Sequence, residues 1–280
     1  MKKLLNKIIP VAYGAYFNTL SVFSKKKAAK KAFYLFCTPR KGKVLPFQSE
    51  FLNKAKKEVV HSNNIDLQVY EWAGEKETVL LLHGWESNVF RWRNLISYLI
   101  EDNYNIIAFD APAHGNSKGE VLHVPIYTEV AQTLIDKYKP KHIVGHSVGG
   151  MTTLYNNYKY NNPSVDKLII LGAPSEFYTI LLNYQNMLKF NDKVFNELKA
   201  FIKEKFGFLP EDFSISEYAK QNKKKGLLVH DKLDFIAPCS DSELVHKNWT
   251  NSKLITTEGY GHSLHQDEVS NAVMSFLKEG

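Results

Sequence analysis

Acidic residues are missing from the first 49 positions of this 280-residue chain; the first is Glu50. Residues 1–43 meanwhile carry ten lysines and Arg40. The rest of the chain holds 25 basic residues against all 29 acids, so the net charge of +7 belongs to the N-terminus and the remainder is mildly acidic. That asymmetry argues against a nucleic-acid-binding body and makes the leader a separate question. Cysteine is scarce as well. Cys37 and Cys239 provide neither a disulfide framework nor a metal-ligand spacing, which suits a reducing compartment. There is no H-E-x-x-H pattern and no glycine-rich phosphate loop, so no metal and no cofactor is expected. No internal repeat occurs, and no low-complexity tract beyond the lysine clusters.

Long apolar runs are absent too. Ile8–Phe23 falls short of the ~20 residues that span a bilayer and contains Asn18, Thr19 and Ser21. Lys7 interrupts what would be the apolar region of a secretory signal, and no small-x-small cleavage site follows. A cytoplasmic location is therefore expected. The run from Lys25 to Phe36 reads as a helix, with Ser24 as its cap, Ala29, Ala32, Phe33 and Phe36 on one face, and Pro39 beyond its end. Two readings of it stand. It is either a helix packed on the body with solvated lysines, or an interfacial basic helix in weak contact with anionic lipid through Phe33 and Phe36. The second would make the protein peripheral at a membrane.

Beyond the leader, Glu58–His61 and Ile65–Trp72 read as strands, the latter alternating like an antiparallel strand with one wet face. Thr78–Leu82, Asn105–Phe109, His142–Val144 and Lys167–Leu171 are continuous apolar runs of the kind buried on both faces. Helical spacing recurs at 91–99 and 124–138. This alternation predicts an α/β fold with a mostly parallel sheet flanked by helices. It stops after Pro174. Residues 175–224 read as helices rich in phenylalanine and tyrosine, too long for a plain connection, and are expected to form a helical cap insertion. Strand and helix then resume to the C-terminus. The expected organisation is a basic N-terminal segment at 1–49, a core at 50–174 and 225–280, and a cap at 175–224.

The stretch around which the rest is organised is Gly145-His146-Ser147-Val148-Gly149, between an apolar run and a helix-compatible stretch. A G-x-S-x-G sequence in that context is a nucleophile elbow. The serine sits in a sharp strand-to-helix turn, and the flanking glycines remove Cβ atoms that would clash there. The N–H of Val148, at a helix N-terminus, is placed to donate to a developing oxyanion. A serine hydroxyl needs a base, and the base an orienting acid. The loop after Leu228-Val229 supplies His230, Asp231 and Asp234, and the loop after Ile255-Thr256 supplies His262. Parallel strands bring such loops to one edge of the sheet.

With His83-Gly84-Trp85, Asp110-Ala-Pro-Ala-His114-Gly115, the elbow, the His230…Asp234…Pro238 loop and Gly261-His262 in that order, the chain resembles the α/β-hydrolase superfamily over roughly residues 60–280. The resemblance implies Ser147 as nucleophile, His262 as general base and Asp234, which precedes Pro238 by four, as its acid rather than Asp231. It implies the Trp85 amide as second oxyanion donor beside Val148, and a structural rim from His83 and the Asp110–His114 loop. His61, His123 and His246 are expected to be surface or packing residues. The implied chemistry is hydrolysis of a small-molecule ester or thioester with an apolar acyl group, walled by Phe177 and Tyr178, through an acyl-enzyme. The alternative is a non-catalytic ligand- or membrane-surface-binding protein on the same fold.

Overall fold

The computed structural model describes residues 2–279, with side chains from Ile8 onward. The side chains of Lys2, Lys3 and Lys7, part of the basic leader, lie outside that set. Two helices open the chain, α1 (Lys2–Phe23) and α2 (Lys25–Cys37), and a short α3 (Pro46–Leu52) leads into the sheet. Then come β1 (Lys56–Ser62), β2 (Ile65–Trp72), β3 (Lys76–Leu82), α4 (Arg93–Glu101), β4 (Tyr104–Phe109) and α5 (Val124–Tyr138). β5 (His142–His146), α6 (Val148–Tyr160) and β6 (Lys167–Leu171) follow. Three helices, α7 (Phe177–Leu188), α8 (Asp192–Phe206) and α9 (Ile215–Ala219), precede β7 (Lys225–Asp231). α10 (Cys239–Asn248), β8 (Ser252–Thr257) and α11 (Asp267–Lys278) end it.

The chain divides into two compact units, residues 39–175 with 215–280, and residues 1–38 with 176–214. The larger holds one eight-stranded sheet in the order β1-β2-β4-β3-β5-β6-β7-β8. β1 and β2 pair antiparallel, and β2 pairs antiparallel with β4. All other pairings are parallel. Alternation along the strands divides the apolar side chains between the two faces. Val79, Leu81, Val144, Ile169 and Val229 join a core with Leu95, Ile96 and Leu99 of α4 and Val269 and Val273 of α11. α5 and α6 pack on one another, as do α6 and α9 and then α9 and α10. The order β4-β3-β5 reverses direction between β3 and β5, and in open α/β sheets ligands bind at the carboxyl ends of the strands beside such a reversal.

The smaller unit is helical. α2 turns Ala28, Ala29, Ala32 and Phe33 inward. The Phe33 ring lies 5.3 Å from that of Phe201 and 5.8 Å from that of Phe206, and the residue is 2% exposed. Phe36 packs on Tyr184 at 4.9 Å, and the Tyr184 hydroxyl donates to the Ala32 carbonyl at 2.9 Å. Burying a phenylalanine side chain is worth roughly 1.5–3 kcal/mol, so Phe33 is committed to protein rather than lipid. α1 packs on α7 and α8. A Cβ at Gly14 would collide with the Leu188 carbonyl, so only glycine permits that approach. Asn18 accepts from the Asn191 N–H at 2.7 Å and donates to the Lys189 carbonyl at 3.3 Å. These contacts offset Pro10, a residue that costs a helix interior about 3 kcal/mol. No helix among the described residues is long and apolar enough to cross a membrane.

Candidate active site

β5 delivers Ser147 at the carboxyl edge of the sheet, and α6 starts at the next residue. Ser147 holds φ 53° and ψ −121°, a conformation that costs a non-glycine residue about 1–3 kcal/mol. Its surroundings over-determine it. The Ser147 N–H donates to the Leu171 carbonyl at 2.9 Å, and its own carbonyl accepts from Gly150 and Met151 at 2.9 and 3.1 Å. A Cβ at Gly145 would strike the Gly149 carbonyl, and one at Gly149 would strike that of Leu82. The tight turn therefore exists only with glycine at both positions.

His262 Nε2 lies 3.0 Å from Ser147 Oγ, and its Nδ1 lies 2.7 Å from Asp234 Oδ2. A carboxylate only accepts, so Nδ1 carries the proton and Nε2 is free to accept from the serine hydroxyl. Asp234 is buried, and burial alone would raise its pKa. Bonds from His230, His262 and the amides of Ala237 and Ile236 prevail and hold the carboxyl far below its ordinary value. The amides reach Oδ1 at 2.8 Å from Ile236 and 3.0 Å from Ala237. Asp231 faces elsewhere. It accepts from the Tyr260 N–H and the Thr257 hydroxyl, each at 2.8 Å, and from the Leu233 N–H at 2.9 Å. It thereby joins the Asp234 loop to the His262 loop.

The turn after β3 lies against Ser147. A Cβ at Gly84 would come within 3.2 Å of Ser147 Cβ and 2.6 Å of His146 Nδ1. His83 accepts from the Ala111 N–H at 2.9 Å and donates to the Gly84 carbonyl at 2.8 Å. His114 accepts from the Glu86 N–H at 3.0 Å and donates to the Pro112 carbonyl at 2.9 Å. Asp110 takes bonds from the Val89 and Asn116 amides and the Tyr70 hydroxyl. These contacts shape the strand of backbone carrying Trp85 without reaching the serine. No group of three or more His, Cys, Asp or Glu residues suited to a metal occurs among the described residues.

A family profile described as alpha/beta hydrolase fold matches residues 77–209. An uncharacterized hydrolase of Bacillus subtilis (strain 168) is 23% identical over 281 positions, covering 82% of this chain and 100% of its own length. A pimeloyl-[acyl-carrier protein] methyl ester esterase of Vibrio vulnificus (strain YJ016) is 28% identical over 110 residues, 39% of this chain and 41% of the relative. Among solved structures, an esterase from Exiguobacterium antarcticum superposes with a TM-score of 0.64 at 17% identity, over 80% of this chain and 100% of that one. The chain has the alpha/beta hydrolase fold.

Phe177 and Tyr178 belong to the helical unit. There Phe177 packs on Phe36 and Phe213, and Tyr178 on Phe195. His61 is exposed beside Asp66, His123 caps α5, and His246 meets Ser252 Oγ at 2.7 Å. The contacts of several residues around the triad were not legible in the sequence. His146 Nε2 donates to the His262 carbonyl at 2.8 Å, its ring 4.9 Å from that of His262. His230 Nε2 lies 3.3 Å from Asp234 Oδ2, while its Nδ1 accepts from Ser242 Oγ at 2.6 Å. Arg91, buried and pulled down to a pKa of about 9 by that burial, donates to the Ser263 carbonyl at 2.7 Å. Asn94 donates to the His265 carbonyl at 2.9 Å. Between these two anchors Leu264 sits at φ 48°. An arginine inside the apolar run Val89-Phe90-Arg91-Trp92 was the available signal. Leu233, Phe235 and Ile236, which flank Asp234, are exposed, Phe235 at 94%.

The buried imidazoles carry a pH dependence. Burial holds His83 and His146 well below the ordinary value, lowers His114, and sets His142 and His265 at about 4. In the unfolded chain these rings protonate near pH 6.5. As pH falls below that, the unfolded state binds more protons than the folded one, so stability declines. The slope approaches ~1.4 kcal/mol per pH unit for each ring that stays neutral. Asp234, depressed instead, adds a further loss only below about pH 4. The melting temperature is expected to be level above pH 7.5 and to drop steadily from 6.5 to 5. A level melting temperature throughout that lower range would show that the rings charge without unfolding.

Proposed function

We propose that this chain is a serine hydrolase acting on a carboxylic ester or thioester of an apolar acyl group. The observation that carries the reading is the Ser147–His262–Asp234 relay, with the serine in strained geometry at the sheet edge. Ser147 Oγ attacks the acyl carbonyl while His262 Nε2 takes its proton. The amides of Val148 and Trp85 stabilise the oxyanion. His262 then protonates the departing alcohol or thiol. Water, deprotonated by the same ring, releases the acid from the acyl-enzyme. Asp234 stays ionised throughout, holding the ring in one tautomer. The esterase-named relative supports acyl transfer chemistry in this superfamily. The exposed Leu233, Phe235 and Ile236 beside the acid and the half-exposed Trp85 support an apolar substrate. Two free thiols, Cys37 and Cys239, accord with a cytoplasmic location.

A fluorophosphonate probe should label the wild-type protein at Ser147 and leave Ser147→Ala unlabelled. Absence of labelling in the folded wild type would favour the non-catalytic alternative. The acyl preference is measured separately with p-nitrophenyl esters. Each methylene removed from water is worth ~0.8 kcal/mol, so kcat/KM should rise severalfold per pair of carbons from acetate to hexanoate. If Phe177 and Tyr178 wall the acyl group, Phe177→Ala shifts that preference. Equal rates across the series would discard the apolar acyl group and leave the triad reading standing.

A further inference from the structure

A surface helix normally turns charged and polar residues to water. α1 does the opposite. Gly14, Phe17 and Ser21 form its buried face. On the other side Ile8, Ala12, Tyr16, Thr19 and Phe23 recur at i, i+4, i+8, i+11 and i+15, a single outward ridge, and all are exposed. Val22 and Phe23 at its end are 80% and 83% exposed. No charged residue occurs between Lys7 and Lys25, so over four turns this face offers water nothing but hydrocarbon, rings and the hydroxyls of Tyr16 and Thr19.

Cations stand directly beside that ridge. Lys25, Lys26, Lys27, Lys30 and Lys31 of α2 are all exposed, and no acid occurs in the sequence before Glu50. Between α1 and α2 runs an open groove of about 550 Å³, lined by Tyr13, Tyr16 and Tyr34 together with Lys27, Lys30 and Lys31. Lys31 Nζ sits 6.0 Å from the centre of the Tyr16 ring. Ammonium groups and phenol hydroxyls beside an apolar ridge match the phosphates and acyl boundary of a bilayer surface.

We infer that the outward face of α1 and the lysines of α2 form a docking surface for an anionic lipid bilayer, with α1 lying in the interface and lipid phosphates held at the Lys27–Lys30–Lys31 groove. Lying in the surface fits the packing better than spanning, because the inner face of α1 is occupied at Gly14, Phe17 and Asn18 by the end of α7 and the residues after it. A second copy of the chain is the poorer occupant, since a symmetric pairing would bring two lysine clusters of the same sign together. Phe33 takes no part, being buried among Phe201 and Phe206.

The test is co-sedimentation of the full chain with vesicles of phosphatidylcholine alone or with three-tenths phosphatidylglycerol. Binding is expected only to the second kind, and it should weaken at least tenfold between 0.1 and 1 M salt, where the Debye length shortens from ~10 to ~3 Å. A lysine close to an anionic leaflet contributes about fivefold to partitioning, so Lys27→Glu/Lys30→Glu/Lys31→Glu should lose at least about a hundredfold. Val22→Asp/Phe23→Asp should abolish binding by an independent route. All altered side chains are exposed, and an unchanged melting temperature serves as the folding control. The proposal is overturned if neither vesicle binds, if both bind equally, or if either variant binds as wild type does. It is equally overturned if wild type is a dimer that Val22→Asp/Phe23→Asp dissociates and binds no vesicles. Ser147→Ala should bind vesicles as wild type does, which separates this outcome from that of the hydrolase reading.

Discussion

Ser147→Ala is expected to lower kcat/KM on a p-nitrophenyl ester by on the order of 10⁴-fold or more while the melting temperature stays within a few degrees. In the proposed mechanism the hydroxyl supplies the bond-forming atom, and among the described residues no other side chain is hydrogen-bonded to His262 Nε2. The backbone strain at residue 147 is unrelieved in the variant, because alanine is no more comfortable than serine at φ 53°. His262→Ala should cost about as much, and the double variant little more than either single one, since members of one catalytic unit do not add. Water held against the oxyanion amides accounts for the residual rate. Substantial turnover by Ser147→Ala, with contaminating esterase excluded, would remove Ser147 from the mechanism.

Asp234→Asn should fall by on the order of 10⁴-fold, and Asp231→Asn by less than about tenfold. If the new amide turns its oxygen to His262 Nδ1, its NH₂ faces the Ile236 and Ala237 N–H groups, donor against donor. If it turns its NH₂ to His262, Nδ1 must become the acceptor, and the proton moves to Nε2. The ring then cannot accept from Ser147. The first arrangement sets two N–H donors against the NH₂, so the second prevails and the base is disabled. In Asp231→Asn the carbonyl oxygen can still face Tyr260 and Thr257, and only the bond from Leu233 is lost. That costs roughly 1–3 kcal/mol of stability but leaves the His262 tautomer intact. The opposite ranking in a steady-state assay would make Asp231 the orienting acid.

The pattern Gly145-x-Ser147-x-Gly149 carries part of its own geometry, because the clash avoided at Gly145 is with Gly149, four positions on, whereas that at Gly149 is with the distant Leu82. The apolar runs at 78–82, 105–109 and 167–171 reveal strands buried on both faces for a similar reason, since burial and strand period are written in adjacent residues. Terminal bounds were less legible. The stretch at 91–99 is a 3₁₀ turn over Val89–Trp92 followed by α4. Helix ends depend on capping contacts that periodicity does not encode. The leader was the least legible part. Its lysines and phenylalanines are compatible with lipid and with protein alike, and hydrophobicity has no direction.

By itself, then, the chain's order of residues determined a parallel α/β sheet, the serine turn, and loops bearing aspartate and histidine at the sheet's carboxyl edge. Each of these follows from near-neighbour backbone chemistry or from the fact that parallel strands point their ends the same way. Tertiary structure alone decided that Arg91 and Asn94 anchor the loop behind His262 and that His146 and His230 pack about the triad. It also decided that Phe33 turns inward onto Phe201 while the apolar ridge of α1 turns out. Most of those contacts join residues separated by tens to more than a hundred positions. Their choice rests on which partners can fill the same volume and complete each other's hydrogen bonds, a condition set only when the distant segments are packed together.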